Sequence, residues 1–590
     1  NLTNTALTAL PPEIGQLTQL KLLYLKNTTL TELPPEIGNL TSLESLGLTG
    51  NPIRVLPPEI GGLSNLKELY LSQTQISELP PEFYQLTNLY ELDLSNTQIT
   101  TLSPEMGRLT HLRILSVTET AIQELPREIL LVIPNLYEFQ YDGGWAEMPA
   151  TLSEEEMARR VQINWFTYDC QPPRYPYFEF IVLDFNQQQD EIGLTLNCIY
   201  VGQSTVADRL KEYVDSGLSI DIVGSTSFDF ASSLQGQWVD LQPLVDAAGY
   251  DLSLFPTNVV DAHRSAEGLL ALPFAVYPGV LYYNADLFDA AGLNYPPTSA
   301  GEPYIMPDGS AVPWDYDTVT VIGQLLTLDA DGHNAAHPDF DPENITQYGF
   351  VHQWDTMLSD FHTFGAAPLL DENNQVVIPE QWRAEAHWLW NSIWTYHISP
   401  TSSADWGELL DSNPFNSGHV AMARSMSWLT CCLGELTARW DLAIQPAYQG
   451  QIYAPMDLDS FYIHQSSQHP QEAFTVLQYL TGDASAQLGR IYSIFPARSE
   501  NQAAAIAVKA AQFPDVQHWE VLSDSIPFAP VPSPDIGHLN HPTRYPQLNG
   551  IERLAEFLTL LRSEGGDSFD LDAELDKLQA DLQAIVDAHP

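Results

Sequence analysis

The chain has 590 residues, too many for one core and enough for about two to four domains, and its 44% hydrophobic and 11% aromatic content excludes a disordered chain. The 23 Lys and Arg stand against 76 Asp and Glu, a net charge of −53. Such a field repels phosphate backbones and anionic lipid heads, which excludes nucleic acid as a partner and suits the solubilising surface of an exported protein. No run of eighteen apolar residues occurs, so no membrane-spanning helix is expected. The four cysteines, Cys170, Cys198, Cys431 and Cys432, form no CxxC and no zinc spacing. The adjacent Cys431 and Cys432 are not expected to bond to each other, and neither of the other two has an evident partner.

The first quarter is periodic. Leu10, Leu33, Leu56, Leu79, Leu102 and Leu125 are spaced by 23 residues, the mark of stacked units that cannot bury their apolar faces alone. Each unit carries an L-x-x-L-x-L run, such as Leu43, Leu46 and Leu48, which predicts a short strand with one buried face. Paired prolines, such as Pro34 and Pro35, then forbid a ladder, and a glycine such as Gly38 closes a tight convex turn. This pattern resembles the leucine-rich repeat family over residues 1 to 141. At the position of that family's asparagine ladder stand Thr28, Asn51, Thr74, Thr97 and Thr120, so one unit keeps the amide and the hydroxyls serve less completely. After Leu125 the unit is irregular, with a displaced strand expected at Leu136, Phe139 and Tyr141 as a cap. Tyr24, Lys67, Tyr70, Tyr90, Glu91 and Arg113 project from the strand face, either as a concave surface for a protein partner or as a solvated face. The first unit is cut: Leu2, Thr5 and Leu7 match Leu25, Thr28 and Leu30, so earlier sequence with an export signal, and a membrane tether, are expected before Asn1.

Residues 142–160 read as a linker with a short acidic helix. From Val161 onward strands alternate with helical patterns, an α/β arrangement: a strand at Val161 to Phe166, a helix at Tyr177 to Asn186, a strand at Ile192 to Val201, a helix capped by Ser204 or Thr205, and a strand at Ile220 to Val223. Two long runs and three short ones carry a resemblance. They are Asp184 to Val223; "EGLLALPFAVYPGVLYYNADLFDAAGL" from Glu267 to Leu293; "GHVAMARSMSW" from Gly418 to Trp428; "PQEAFTVLQYLTG" from Pro470 to Gly482; and "FPAR" from Phe495 to Arg498. In order and spacing these resemble the extracellular solute-binding proteins of carbohydrate ABC importers.

The resemblance implies a repeat solenoid followed by a two-lobed α/β fold of the periplasmic-binding-protein type II. Lobe 1 would take about 161–275 and 461–494, lobe 2 about 281–452 and 498–590, with hinge crossovers near Ala275 to Val280, Ile452 to Ser460 and Ile494 to Ala497. It implies an extracytoplasmic receptor that holds a sugar or oligosaccharide between lobes and hands it to ABC membrane subunits. A sugar needs an aromatic platform and fixed polar groups. Family matching puts Trp165, Asp169, Ser225, Thr226, Trp354, Trp428, Asp459 and Ser460 at the cleft, each with a core or turn role as its alternative. His387, Trp388, Trp390 and Trp394 have helical spacing and read as core.

The loop Asp329 to Ile345 offers Asp329, Asp331, Asp339 and Asp341, hard oxygens of the kind Ca2+ prefers, or else a solvated turn-rich loop. No cofactor is otherwise required. No GxSxG, HExxH, P-loop or GxGxxG stands in the needed context, so an enzyme is not expected. A sensor or adhesion protein remains the other reading, and a carbohydrate-active enzyme the third.

Overall fold

The computed structural model describes residues 2–109, 111–122, 138–140, 153–167, 175–199, 206–227, 236–265, 267–353, 362–365, 369–371, 373, 375–405, 407–411, 413–433, 436–492, 494–530, 550–566 and 569–587. Two compact units divide the chain: Asn1–Ile163, Tyr168–Cys198 and Arg490–Tyr492 form one; Asn164–Thr167, Ile199–Gly489 and Ser493–Pro590 form the other. In this division residues 168–198 group with the first unit. Among the described residues no helix is long and apolar enough to cross a membrane.

In the first unit, six three-residue strands form a parallel sheet in sequence order: β1 (Leu22–Tyr24), β2 (Ser45–Gly47), β3 (Glu68–Tyr70), β4 (Glu91–Asp93), β5 (Ile114–Ser116) and β6 (Glu138–Gln140). The register repeats by one unit, pairing Leu23, Leu46, Leu69, Leu92, Leu115 and Phe139 in a row. The central leucines of L-x-x-L-x-L are fully buried. Each convex side is a single 3-10 turn, such as Pro35–Asn39, with proline at its first position, where the missing N–H costs no bond. Gly38 is required there by contact, since a Cβ would fall 2.3 Å from the Glu59 carbonyl oxygen of the next unit.

One periodic feature is invisible in the apolar pattern. Asn4, Asn27, Gly50, Gln73, Asn96 and Glu119, spaced by 23, all adopt left-handed backbone just before the ladder position. Asparagine and glycine tolerate that conformation; glutamine and glutamate are held in it by the stack. Asn51 then donates to the Leu25 carbonyl at 2.7 Å and the Leu48 carbonyl at 2.8 Å and accepts from Leu30 N–H at 3.3 Å. Thr74 and Thr97 each donate only to their own unit's carbonyl, Leu71 and Leu94, at 2.8 Å. Of the expected cap, β6 is described; Leu136 and Tyr141 lie outside the described residues.

The same unit contains α1 (Tyr175–Gln188) and β8 (Ile192–Cys198), joined by Asn186, whose amide both donates to and accepts from Leu194 backbone at 2.9 and 2.7 Å. Cys198 is disulfide-bonded. The strand β7 (Val161–Thr167) precedes them.

The second unit is built on α2 (Val206–Asp215), β9 (Ile222–Ser227), β10 (Ala271–Asn284), α3 (Tyr316–Leu326), β11 (Val351–His352), α4 (Glu380–Trp394), β12 (Met422–Met426), β13 (Trp440–Ala443), β14 (Met456–Ile463), β15 (Phe495–Pro496), α5 (Ser499–Gln512), α6 (Gly550–Ser563) and α7 (Leu571–Asp587). Ser204 and Thr205, expected to cap α2, lie outside the described residues. The strand β10 is 14 residues long and buried throughout. Its first half, Ala271 to Pro278, pairs with β14, and Ala275 and Val276 pair with β15 on the other side. Its second half, Gly279 to Asn284, pairs with β12 and β13.

The two ends of β10 enter different cores. Ala271 packs with Phe166, Leu210, Val223, Trp238 and Tyr462. Leu281 and Tyr283 pack with Phe288, Trp314, Val319, Phe350 and Trp388. A third core joins α4 to α6 and α7. Here Trp390 and Trp394 donate to the Glu564 and Leu561 carbonyls at 3.2 and 2.9 Å, so the tryptophan series on α4 is core.

Replacing Asn51 by alanine strands two buried carbonyls, a loss of about 1–3 kcal/mol per unsatisfied group. Urea denaturation should show Asn51→Ala much less stable than Thr97→Ala, which strands one; equal losses would contradict the ladder account.

Candidate ligand site at the strand crossover

At the middle of β10 the polypeptide passes from one core to the other, and there two carboxylates each hold an aromatic ring. In the register of β10 with β14, Tyr277 stands opposite Asp457 and Ala275 opposite Asp459. Facing pairs share a side of the sheet, as do residues two apart on one strand, so Tyr277, Asp457 and Asp459 occupy one face. Tyr277 Oη donates to Asp459 Oδ2 at 2.9 Å, and Trp428 Nε1 donates to Asp457 Oδ2 at 3.3 Å. Trp428, Asp457 and Asp459 are half-buried.

Trp428 is placed by the 3-10 turn Ser427–Cys432 that follows β12. The turn is clamped from behind. Buried Lys509 on α5 donates from Nζ to Thr430 Oγ1 at 3.0 Å, and Thr430 donates to the Ser427 carbonyl at 3.0 Å. Lys509 has Thr430 and the Trp519 ring, 5.9 Å from Nζ, as its surroundings, and burial pushes its pKa down to about 8. Asn413 donates to the Cys432 carbonyl at 3.2 Å, and Gln353 to Asn413 at 2.6 Å. Contrary to expectation, Cys431 and Cys432 are bonded to each other, which closes a small ring at the end of this turn. Gly279, beside the crossing point, donates its N–H to the Pro455 carbonyl at 2.6 Å; a Cβ there would sit 2.8 Å from that oxygen.

Next to the site runs a buried ionic network. Arg424 on β12 lies 3.9 Å from Glu385 on α4, and both are almost fully buried. Arg424 Nη1 also donates to His352 Nδ1 at 3.1 Å and Thr363 Oγ1 at 3.3 Å, while Glu385 accepts from Thr363 and, at 3.0 Å, from Phe364 N–H. These bonds fix residues 362–365 against α4. Breaking such a pair by removing one partner costs about 3–5 kcal/mol, because the other charge stays buried.

Of the residues expected at the cleft, Trp428 and Asp459 lie at the crossover. Trp165 does not: it has no exposed surface, donates its indole N–H to the Gly224 carbonyl, and packs edge-on against Phe461. Ser460 is buried on the opposite face from Asp459 and bonds His263 Nε2 at 2.9 Å, because neighbouring strand residues point to opposite sides. Thr226, directly across from Ser460, shares that buried face. Asp169 and Trp354 lie outside the described residues, and the side chain of Ser225 is not among those described. Tyr277 and Asp457 were not anticipated. The period of two along β14, with Asp459 already suspected, was the signal that could have found Asp457.

The four aspartates of the 329–345 loop do not converge among the described residues. Asp329 is buried, and its carboxylate accepts from the backbone N–H groups of Asp331, His333 and Asp341 at 2.8–2.9 Å. Asp341 accepts from Glu343 N–H and the Asn344 amide at 3.0 and 2.7 Å. These carboxylates organise the loop through its own backbone N–H groups.

Two repeated motifs and a crossover strand feeding two cores define a repeat domain joined to a two-lobed ligand-binding fold. The family model for bacterial extracellular solute-binding proteins matches residues 181–515, more than half of the chain, and the chain belongs to that family. The leucine-rich repeat model matches residues 1–53, 41–99 and 64–122. Among solved structures, the chain is similar to UspC of M. tuberculosis, at 19% identity over 72% of this chain and 100% of that one, with a TM-score of 0.56. It is similar to the sugar-binding protein MalE of Xanthomonas citri, at 15% identity over 72% and 98%, with a TM-score of 0.54. It is also similar to UgpB of M. tuberculosis in complex with glycerophosphocholine, at 16% identity over 72% and 98%, with a TM-score of 0.51. No curated protein matches. At these identities the structural likeness speaks for the fold.

Two histidines set an acid limit. Burial pushes His263 down to about 4, and burial with the nearby Arg424 charge does the same for His362. Each stays neutral in the native state until about pH 4 and takes up a proton on unfolding below about pH 6.5, so stability should fall as pH drops through that window. Thermal melts between pH 7 and pH 4 should show the fall, with a shallower slope in His263→Gln; an unchanged slope would contradict the burial assigned to His263.

Proposed function

We propose that the chain is an extracytoplasmic receptor that captures a sugar or oligosaccharide at the β10 crossover and delivers it to the membrane subunits of an ABC importer. The observation that carries this reading is the pairing of Trp428 with Asp457 and of Tyr277 with Asp459 on one face of the crossing strands. An indole face covers the C–H side of a pyranose, while carboxylates accept from its hydroxyls, and strands from both lobes meet there. A ligand seated at the crossover contacts both lobes, and its contacts favour the closed state of a hinge made by β10, β14 and β15. Family membership supports a receptor role outside the cytoplasm, and the likeness to the sugar-binding protein of Xanthomonas citri supports the sugar class. The receptor requires no cofactor and performs no chemistry in this reading.

The net charge of −53 and the two carboxylates at the site favour a polyol over a phosphate ester. The repeat domain is an accessory surface for a protein or cell-envelope partner. On its strand face Lys21 and Lys67 both pair with Glu44, and Tyr70 donates to Glu91, so much of its polarity is internally satisfied.

A thermal-shift panel of mono- and oligosaccharides, with glycerophosphocholine alongside, tests the reading. A ligand at a hundred times its Kd stabilises the native state by about 2.7 kcal/mol. At least one sugar should raise the melting temperature, and Trp428→Ala should weaken its binding at least tenfold by calorimetry with little change in the unliganded melt. Stabilisation by glycerophosphocholine alone would overturn the sugar class. Unchanged affinity in Trp428→Ala would overturn the site.

A further inference from the structure

The loop after α3 contains one convergent set of ligands among the described residues. His333, His337 and Asp339 each offer an atom, and these atoms lie within 4.8 Å of one another. The two imidazoles stack nearly parallel, with ring centroids 4.5 Å apart and planes 10° apart. The His337 Nδ1 atom stands 4.0 Å from Asp339 Oδ2 and accepts the Asp339 N–H at 3.2 Å, a bond that a bound ion would replace. All three side chains reach solvent, at 34%, 45% and 80% exposure.

The set rests on a fixed base. Buried Asp329 binds three loop amides and also His333 Nδ1 at 3.3 Å. A carboxylate on one imidazole nitrogen sets the tautomer and leaves the other nitrogen as a ligand, as partners of metal-bound histidines do. The loop is anchored at both ends by the pairing of Leu328 with Gln347 and Asp329 with Ile345.

We propose that His333, His337 and Asp339 form a binding site for a divalent transition cation of the zinc type, with Asp329 as the residue that orients His333. Two imidazoles and one carboxylate suit zinc and its neighbours and do not suit calcium, which takes six to eight oxygens. Ligands on a tetrahedral ion with bonds of about 2.0 Å stand about 3.3 Å apart, so small rotations of the exposed His337 and Asp339 side chains gather the set. Bound, the ion cross-links positions 333, 337 and 339 and stiffens a loop otherwise held by Asp329. The site is independent of the sugar reading, since none of its residues lies at the crossover.

The test uses the full chain without a histidine tag, stripped with chelator and titrated calorimetrically with zinc chloride, calcium chloride and magnesium chloride. One equivalent of zinc should bind, neither calcium nor magnesium should compete, and His337→Ala should weaken the event at least tenfold. Cobalt(II) supplies a second reading: a visible d–d band of a tetrahedral site should appear in the native chain and be lost in His333→Ala and His337→Ala. Circular dichroism of each variant separates loss of ligand from loss of fold. Zinc uptake that survives both histidine substitutions, or no stoichiometric uptake by the native chain, would overturn the site.

Discussion

One strand holds the ligand-binding unit together. β10 runs 14 residues without an exposed position, and its halves are claimed by different partners: β14 and β15 before Pro278, β12 and β13 after Gly279. Every backbone group along it must be paired, because burial removes water as an alternative partner. The chain cannot slip by one residue without turning Leu281 and Tyr283 out of the core they pack in. The two cores are therefore fixed in register at their junction while remaining separate apolar bodies. At Gly279, where the two halves meet, the backbone packs too closely on Pro455 to accept a side chain.

The candidate site follows from this constraint. Pairing Tyr277 opposite Asp457 puts an aromatic hydroxyl and two carboxylates on the same face, and β12, held beside Gly279 through Met426, delivers the turn that carries Trp428. Lys509, Thr430, Asn413 and the Cys431–Cys432 bond then fix that turn from the inner side. The turn that carries Trp428 is thus held beside the point where β10 passes from one core to the other.

The repeats were legible almost completely, because a 23-residue period over-determines strand, turn and core positions. Even so, the left-handed residue of each unit was hidden: Asn27 and Gly50 hint at it, but Gln73 and Glu119 share the conformation through stacking alone. In the second unit the crossovers were readable as segments, but not as faces. Asp459 and Ser460 were both expected at the cleft, although adjacent strand residues cannot share a side, and the partner of Ser460 proved to be buried His263. Trp165 shows the limit of aromatic placement by pattern, since strand-end and core positions have the same local sequence and only tertiary contact with Phe461 and Gly224 separates them. The adjacent cysteines and the stacked histidines were likewise decided by local backbone geometry that spacing does not encode.

Hydrogen exchange read by mass spectrometry, with and without a saturating sugar found by melting, tests the central claim most directly. Peptides covering residues 427–432 and 453–459 should slow on binding, while the repeats at 2–122 stay unchanged. Protection confined to the repeats, or absent from both crossover peptides, would contradict capture at the β10 junction.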